Sequence, residues 1–345
     1  MYVHPMFLRR VHYTYNVNAL PICAERTNMP LSAAKNRTSR PRTRRSPTQP
    51  WALRRAGGLQ VLEAPPLNKL RWLIHGFSTR PGGISVLPPP SQHSPQSRAE
   101  KVLNLGRTDW DSQANVDENR MRLLAALGAR KMQLVTLRQI HSDVVHVISA
   151  PPQTALQGDA LITATSGVLL AIQTADCIPI LLADPRHRAV AAIHAGWRGT
   201  LARIAAKTVG RMQMEFSSRP KDVIAAIGPG ISQCCYEVGP DVVKEFAAKF
   251  PNARDWFEGS FDQLASGEDP NPLPWLTMMP PGHQPPPPRC MLDLKAANSA
   301  ILAEAGLSAK NIFSSDLCTS CRTDLFFSFR REKTTGRMLS VIGIL

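Results

Sequence analysis

The side chains in this chain most suited to chemistry are one thiol and two imidazoles. In Gln173 to Thr200, QTADCIPILLADPRHRAVAAIHAGWRGT, Cys177 follows Asp176 at the end of one apolar run. His194 lies near the end of the next run but one, with Gly196, Trp197, Arg198 and Gly199 behind it. A lone cysteine is more often a small buried hydrophobe, and a lone histidine a satisfied core residue. The pairing of the two at strand ends, beside glycines, argues for a site. His141 sits at a break between two strand-like halves of Gln133 to Ile148, QLVTLRQIHSDVVHVI, and joins them as a third candidate. Three N/S donors with a fourth position left for water make a catalytic zinc site of the Cys/His/His type. A Cys177–His194 nucleophile and base pair fits the same residues, and plain packing is the third reading.

Other reactive side chains carry less. Cys318-Thr319-Ser320-Cys321 is a single C-x-x-C, either redox-active or half of a metal site. No second C-x-x-C completes it, so two reduced thiols are expected. Cys234 and Cys235 are adjacent and read as packing residues rather than a pincer on one metal. Arg80, Arg198, Arg330 and Arg331 are candidates for gripping an anion such as phosphate, although any one arginine is more often solvated surface charge.

The elements that must hold these residues follow from periodicity. LRWLIHGFSTRPGG, from Leu70, is a strand ending at His75 and Gly76, then a polar loop with Ser78, Thr79 and Arg80. Asn115 or Asp117 caps a helix that stops at Gly128. GDALIT (Gly158 to Thr163), Val168 to Ala175, Ile178 to Ala183 and Ala189 to Ala195 are strands. Thr200 to Phe216 reads as one helix, so the Gly196 to Gly199 loop would turn backbone N–H groups toward an anion at its start. Pro240 opens a helix to Phe250, Asp293 caps another ending at Gly306, and the chain closes with strand-like Leu325 to Phe329 and Met338 to Ile344. Strands mixed with about four helices give an α/β domain, with sheets packed together and helices outside.

Composition narrows the function classes. A hydrophobic fraction of 43% in 345 residues is enough for a real core. The net charge of +15 is concentrated at one end. Residues 1 to 60 hold 11 Lys/Arg against one Glu, a balance of +10, and the other 285 residues hold 30 against 25 acids. The body therefore has no nucleic-acid signature. Residues 1–65 are Arg-, Ser- and Pro-rich and read as a disordered basic tail, either a transit peptide or an upstream-extended start. Residues 66–345 form the catalytic domain, with a turn-rich excursion from Pro88 to Pro95 and a Pro-rich loop at 270–288. Seven cysteines, an odd number with two adjacent, do not form a secreted disulfide framework. No apolar run is long enough to cross a membrane. A soluble, cytoplasmic protein is expected, with organellar targeting by the tail as the other possibility, and the oligomeric state is left open.

A resemblance then adds to this reading. HGFSTRPGG, NLG (Asn104 to Gly106), QIHSD, GDALIT, TADCIPILLAD, AAIHAGWRGT, IGPGISQCCYEVG, CTSCRTDLFFSFRRE and TGRMLSVIGI resemble, in order, the blocks of the laccase-domain family. That family is also called multicopper polyphenol oxidoreductase or purine nucleoside phosphorylase-like, and includes a bacterial peptidoglycan editing factor. The resemblance implies a single-domain four-layer α/β/β/α sandwich with mixed sheets, and zinc on His141, Cys177 and His194. It implies phosphorolysis of adenosine, inosine or methylthioadenosine with phosphate as co-substrate, and deamination of adenosine. The family's activity-linked arginine falls on Arg331. His75, Ser78, Arg80, Asp176 and Arg198 are expected on the substrate side. A three-ligand zinc would lower the pKa of a water toward about 7.

Three rival functions remain. A copper-dependent phenol oxidase would need a larger ligand set than nine histidines supply at sensible positions. A metal-independent Cys–His amidase or hydrolase would act on cell-wall precursors. A non-catalytic pocket would bind nucleoside without turnover.

Overall fold

The apolar runs separated by turns in the sequence assemble into two six-stranded sheets. The computed structural model describes residues 51–88, 100–267 and 288–345. Most of the expected basic tail, residues 89–95 of the turn-rich excursion and nearly all of the Pro-rich loop at 270–288 lie outside the described residues.

The first sheet runs, edge to edge, Ala52–Ala56, Leu59–Glu63, Leu73–Ser78, Met338–Ile344, Val168–Thr174, Gln133–Val135. Its last pairing is parallel and the others antiparallel. The second runs Ile312–Ser314, Ile224–Ile227, Ile178–Asp184, Ala189–Ala195, Ala160–Thr163, Val145–Val147, with parallel pairings at both edges. The chain is a mixed α/β protein with mixed sheets.

One apolar cluster joins residues of both sheets: Leu62, Phe77, Leu170, Ile172 and Ile342 from the first, Leu161, Leu181, Val190 and Ala226 from the second. Ile162, Ile180, Leu182 and Ile193 instead meet Val209, Met212, Phe246 and Ile301 from helices. Leu169, Ala171 and Val341 meet Leu123 and Leu127 of helix Gln113–Leu127. Period-two alternation thus sends neighbouring strand residues to opposite faces, and both faces of each sheet are covered. Each large side chain so buried contributes about 1.5–3 kcal/mol.

Residues 51–65 of the segment expected as tail carry regular structure. The described residues begin at Trp51, and a hairpin occupies Ala52–Ala56 and Leu59–Glu63. Gly57 and Gly58, both with positive φ (59° and 78°), make its two-residue turn. Trp51 packs edge-on against Phe77, with ring centroids 5.3 Å apart. The Arg54-Arg55 pair gave this segment its tail-like composition. Arg54 is instead half-buried, ion-paired to Glu63 and hydrogen-bonded to the Ala126 carbonyl.

Three helix expectations also change. Ser112, rather than Asn115 or Asp117, caps Gln113–Leu127 by accepting from the Asn115 amide. The helix expected over Thr200 to Phe216 is two helices, Trp197–Leu201 and Ile204–Phe216, broken where Arg203 adopts φ 61°. The Gly196 to Gly199 segment is therefore a helix start rather than an open loop, and the Thr200 amide donates to the Gly196 carbonyl. Pro240 and Asp293 open helices as expected, Pro240–Lys249 and Leu294–Glu304. Among the described residues no helix is long and apolar enough to cross a membrane.

Candidate active site

The antiparallel hairpin of Ile178–Asp184 and Ala189–Ala195 decides where Cys177 and His194 meet. Its turn is fixed by Asp184, which accepts from the amides of Arg186 and His187. The register pairs Pro179 with His194, so Cys177, just before the first strand, lies at the same end as His194. On the other side of Ala189–Ala195, Ala160 pairs with Ile193, and the His194 amide donates to the Asp159 carbonyl. Val145 in turn pairs with Ala160, which brings the preceding loop, with His141 and Ser142, to the level of Asp159. Four neighbouring strand ends thus gather one site.

The ligating atoms of His141, Cys177 and His194 all lie within 4.8 Å of one another. Cys177 Sγ is 3.9 Å from His141 Nε2, and the two imidazoles meet edge to face at 5.0 Å between centroids. An ideal tetrahedral zinc spans a sulfur–nitrogen edge of about 3.6 Å, so the donors stand close to that spacing. His141 (φ 57°) and Asp176 (φ 92°) are non-glycine residues in the left-handed region, a strain that tends to collect at functional sites. Gly196 leaves the necessary room. A Cβ there would lie 3.0 Å from Cys177 Sγ and 3.1 Å from His141 Cδ2.

Asp159 organises this centre, and sequence reasoning missed it. The fully buried carboxylate accepts from His194 Nδ1 at 2.8 Å. It also accepts from the amides of Ile140, His141 and Ser142 and from the Ser142 hydroxyl, at 2.6–3.3 Å. Burial alone would raise its pKa, but His194 and Ser142 outweigh that and hold it at about 2. Burial would likewise push the Cys177 thiol up, yet His194 and His141 bring it down to about 6. His194 moves the other way. Burial disfavours its proton, and the Cys177 sulfur and Asp159 restore it and raise the pKa to about 9. With Nδ1 committed to Asp159, His194 Nε2 is the nitrogen turned toward Cys177, and a proton and a metal ion would compete for it.

The three donors open into a cleft of about 870 Å³. Arg107, Arg120, Arg138, Arg330, Lys333 and Arg337 line it, with Tyr236 and Phe329 as its aromatic surfaces. Among the described residues, Asp176 is the only acidic one in that lining. Both its oxygens are engaged, by Thr319 Oγ1 at 2.7 Å and the Arg330 amide at 2.6 Å. Burial raises the Asp176 pKa. Phe329 is 52% exposed, unusual for a phenylalanine, and Arg330 stacks over the Tyr236 ring at 5.1 Å. Burial pushes the Tyr236 phenol up to about 12.

The other expected substrate residues are placed elsewhere. Buried His75 accepts the Ala64 amide on Nε2, and Ser78 Oγ accepts the Leu339 amide; both hold strands together. Arg80 is buried, paired with Glu332 and Glu100 and stacked over Phe327. Its charge is already spent. Arg198 is exposed and lies over its neighbour Trp197, outside the cleft lining. Arg331 is also exposed and outside the lining, whereas its neighbour Arg330 is within it.

Cys234 and Cys235, expected to be packing, and Cys318 and Cys321, expected to be two reduced thiols, form a second group. The sulfurs of Cys234, Cys235, Cys318 and Cys321 all lie within 4.8 Å of one another. Adjacent side chains alternate faces in a strand, but Cys234 and Cys235 sit in a turn that lets both sulfurs converge, 3.7 Å apart.

With this geometry in hand, the chain can be set beside known proteins. Residues 74–345 match the family model described as multi-copper polyphenol oxidoreductase laccase. A purine nucleoside phosphorylase of Deinococcus radiodurans is 39% identical over 84% of this chain and 94% of its own length. An adenosine deaminase, RL5, of an unidentified prokaryote is 35% identical over 66% of this chain and 81% of its own. The crystal structure of YlmD from Geobacillus stearothermophilus superposes with a TM-score of 0.64 at 34% identity, covering 83% of this chain and 96% of that one.

Proposed function

The chain belongs to the multi-copper polyphenol oxidoreductase laccase family, and we propose that it is a zinc-dependent purine nucleoside enzyme. Its reactions are phosphorolysis of adenosine, inosine or methylthioadenosine and hydrolytic deamination of adenosine, on a four-layer α/β/β/α scaffold. The observation that carries the reading is a single cleft with a Cys/His/His donor set on one wall and six cationic side chains around it. Similarity to a purine nucleoside phosphorylase and to an adenosine deaminase supports both halves of the activity.

His141, Cys177 and His194 suit zinc, since two nitrogens and a sulfur leave a fourth position for substrate or water. When bound, zinc supplies Lewis acidity toward an oxygen atom of water or phosphate. Copper oxidation fits the residues less well. Of the other described histidines, His75 serves Ala64, His146 the Gln157 carbonyl and His187 Asp184, and among the described residues no methionine lines the cleft.

The chain's own groups account for the rest. Asp159 fixes the His194 tautomer and the loop that carries His141. Arg330, with Arg337 and the other cations, holds phosphate where its oxygen can reach the ribose C1′ as the bond to the purine breaks. Tyr236 and Phe329 offer faces to the base, and Tyr236, held protonated, can donate to it. In deamination water adds at C6 and ammonia leaves.

The test incubates the purified full chain with adenosine, with and without phosphate, and resolves products by chromatography beside elemental analysis. Adenine with phosphate, inosine without it, loss with chelator and recovery with zinc are expected. Arg330→Gln should raise KM for phosphate about tenfold or more, from the loss of a charge-assisted contact. Copper with phenol turnover, or no purine product, would overturn the reading. One observation favours a second reading, a metal-independent hydrolase acting on cell-wall precursors. Asp159, His194 and Cys177 stand in the order of an orienting acid, a base and a nucleophile. Chelator-resistant, iodoacetamide-sensitive turnover would select it.

A further inference from the structure

Four thiols lie together in the turns that carry Asp176's partners Ile231 and Thr319, and the proposed nucleoside chemistry uses none of them. Cys234 and Cys235 belong to a turn in which the amides of Cys235 and Tyr236 donate to the Ser232 carbonyl at 3.0 and 3.1 Å. Cys318 and Cys321 belong to a second turn, closed by the Arg322 amide on the Cys318 carbonyl at 3.0 Å. The two turns are joined by a bridge between Gly230 and Cys318. Cys321 Sγ lies 3.5 Å from Cys234 Sγ and 3.4 Å from Cys235 Sγ, and those two are 3.7 Å apart. Four thiolates around one zinc, each at about 2.3 Å, stand about 3.8 Å apart along the edges of a tetrahedron. The observed spacings are close to that edge.

The surroundings suit a metal thiolate. Cys318 Sγ receives the Ser232 amide at 3.4 Å, the kind of N–H contact that steadies a ligating sulfur. Buried Lys295 donates to Ser232 Oγ at 3.0 Å, the Ser315 carbonyl at 2.9 Å and the Leu317 carbonyl at 2.7 Å. All three of its protons are thereby used, so it is an ammonium beside the group. Four thiolates and one divalent zinc leave a charge of −2, which this cation offsets in part.

We propose that Cys234, Cys235, Cys318 and Cys321 bind a structural zinc ion, separate from the Cys/His/His centre. Binding converts four thiols and Zn²⁺ into a tetrathiolate complex with release of four protons, without redox change. The ion ties the turn that carries Ile231 and Tyr236 into the cleft to the turn of Thr319, whose hydroxyl holds Asp176. It thereby steadies the Ile231 and Tyr236 part of the cleft lining. A disulfide would be the rival, but it joins only two sulfurs and leaves the other two without a role.

The decisive experiment uses Cys177→Ala in the full chain, which removes a ligand of the first centre and leaves these four cysteines intact. The wild type should hold two zinc ions per chain by elemental analysis, and the variant one. X-ray absorption at the zinc edge of the variant should show sulfur neighbours only, at about 2.3 Å. Cys318→Ser with Cys321→Ser should lose one zinc from the wild type. If that double variant fails to fold, the absorption measurement on Cys177→Ala decides by itself. A metal-free Cys177→Ala chain, nitrogen or oxygen neighbours at its zinc, iron in place of zinc, or a disulfide among the four by mass spectrometry of the native protein would each overturn the assignment.

Discussion

Replacing Asp159 with asparagine changes one atom and should uncouple the proposed metal centre. The carboxylate is buried and serves only donors: His194 Nδ1 and the His141 amide on Oδ1, and the Ile140 and Ser142 amides with the Ser142 hydroxyl on Oδ2. Asparagine must put an NH2 group against one of those sets. Facing Oδ2's partners, it opposes two amides and collapses the loop of His141. Facing His194, it forces Nδ1 to accept, so that the ring proton moves to Nε2, the nitrogen turned toward Cys177 and the proposed zinc. The second choice leaves fewer donors opposed and should prevail, although the His141 amide is still lost. Breaking such an orienting contact typically lowers metal affinity 10–100-fold, about 1.4–2.8 kcal/mol. An unsatisfied buried group adds a folding cost of about 1–3 kcal/mol. Competition against a chromophoric chelator gives the zinc affinity, thermal melting gives the stability, and adenosine turnover at saturating zinc separates poor loading from poor chemistry. A variant that binds zinc within about twofold of the wild type would refute the carboxylate's role.

Two further perturbations test residues that the sequence placed at the substrate and the structure places in the scaffold. Arg80→Met leaves Glu332, which also accepts from the Ser328 amide and Thr335 Oγ1, without its buried cation. It should cost about 2–4 kcal/mol in denaturant unfolding and leave KM for phosphate unchanged; a selective rise in that KM would return Arg80 to the anion site. His75 is held neutral by burial, with its pKa lowered from 6.5 to about 3. The unfolded chain therefore binds the extra proton first as pH falls, and His75 makes stability decline between pH 6.5 and about 3, by at most about 5 kcal/mol. His75→Gln keeps an acceptor for the Ala64 amide and should flatten that slope; an unchanged slope in urea titrations across the window would rule this out.

The sequence reveals what depends on neighbours along the chain and hides what depends on register. Apolar runs and the Asp184 turn make the Cys177–His194 hairpin readable, and Pro240 and Asp293 mark helix starts. Asp159 lies 35 positions from His194 and meets it only because Ala160 pairs with Ile193. The C-x-x-C of Cys318 and Cys321 shows half of the thiol group, but its other half, Cys234 and Cys235, lies 86 or 87 residues from Cys321 with no spacing that links the two. His75, Ser78 and Arg80 mislead for the opposite reason. They sit in a polar, glycine-bearing stretch that looks like a binding loop, yet their partners, Ala64, Leu339 and Glu332, make them internal fastenings. The break at Arg203 has no local signal, because arginine does not favour a positive φ.

Asp176 shows why the two cysteine-bearing regions belong to one design. Its left-handed backbone turns the chain so that Cys177 enters the cleft, its carbonyl accepts the Ile231 amide, and its carboxylate holds Thr319 and the Arg330 amide. One residue thus links Cys177, the turn before Cys234, the turn of Cys318 and the arginine proposed to hold phosphate. Ile231 and Arg330 are far apart in sequence, and a flexible wall would scatter them by more than the fraction of an ångström that a positioned phosphate tolerates. A zinc-closed pair of turns removes that freedom without needing a larger apolar core beneath the cleft, where the lining must remain polar. The cationic wall can then stay wet and open to an anionic substrate while its backbone is held from behind.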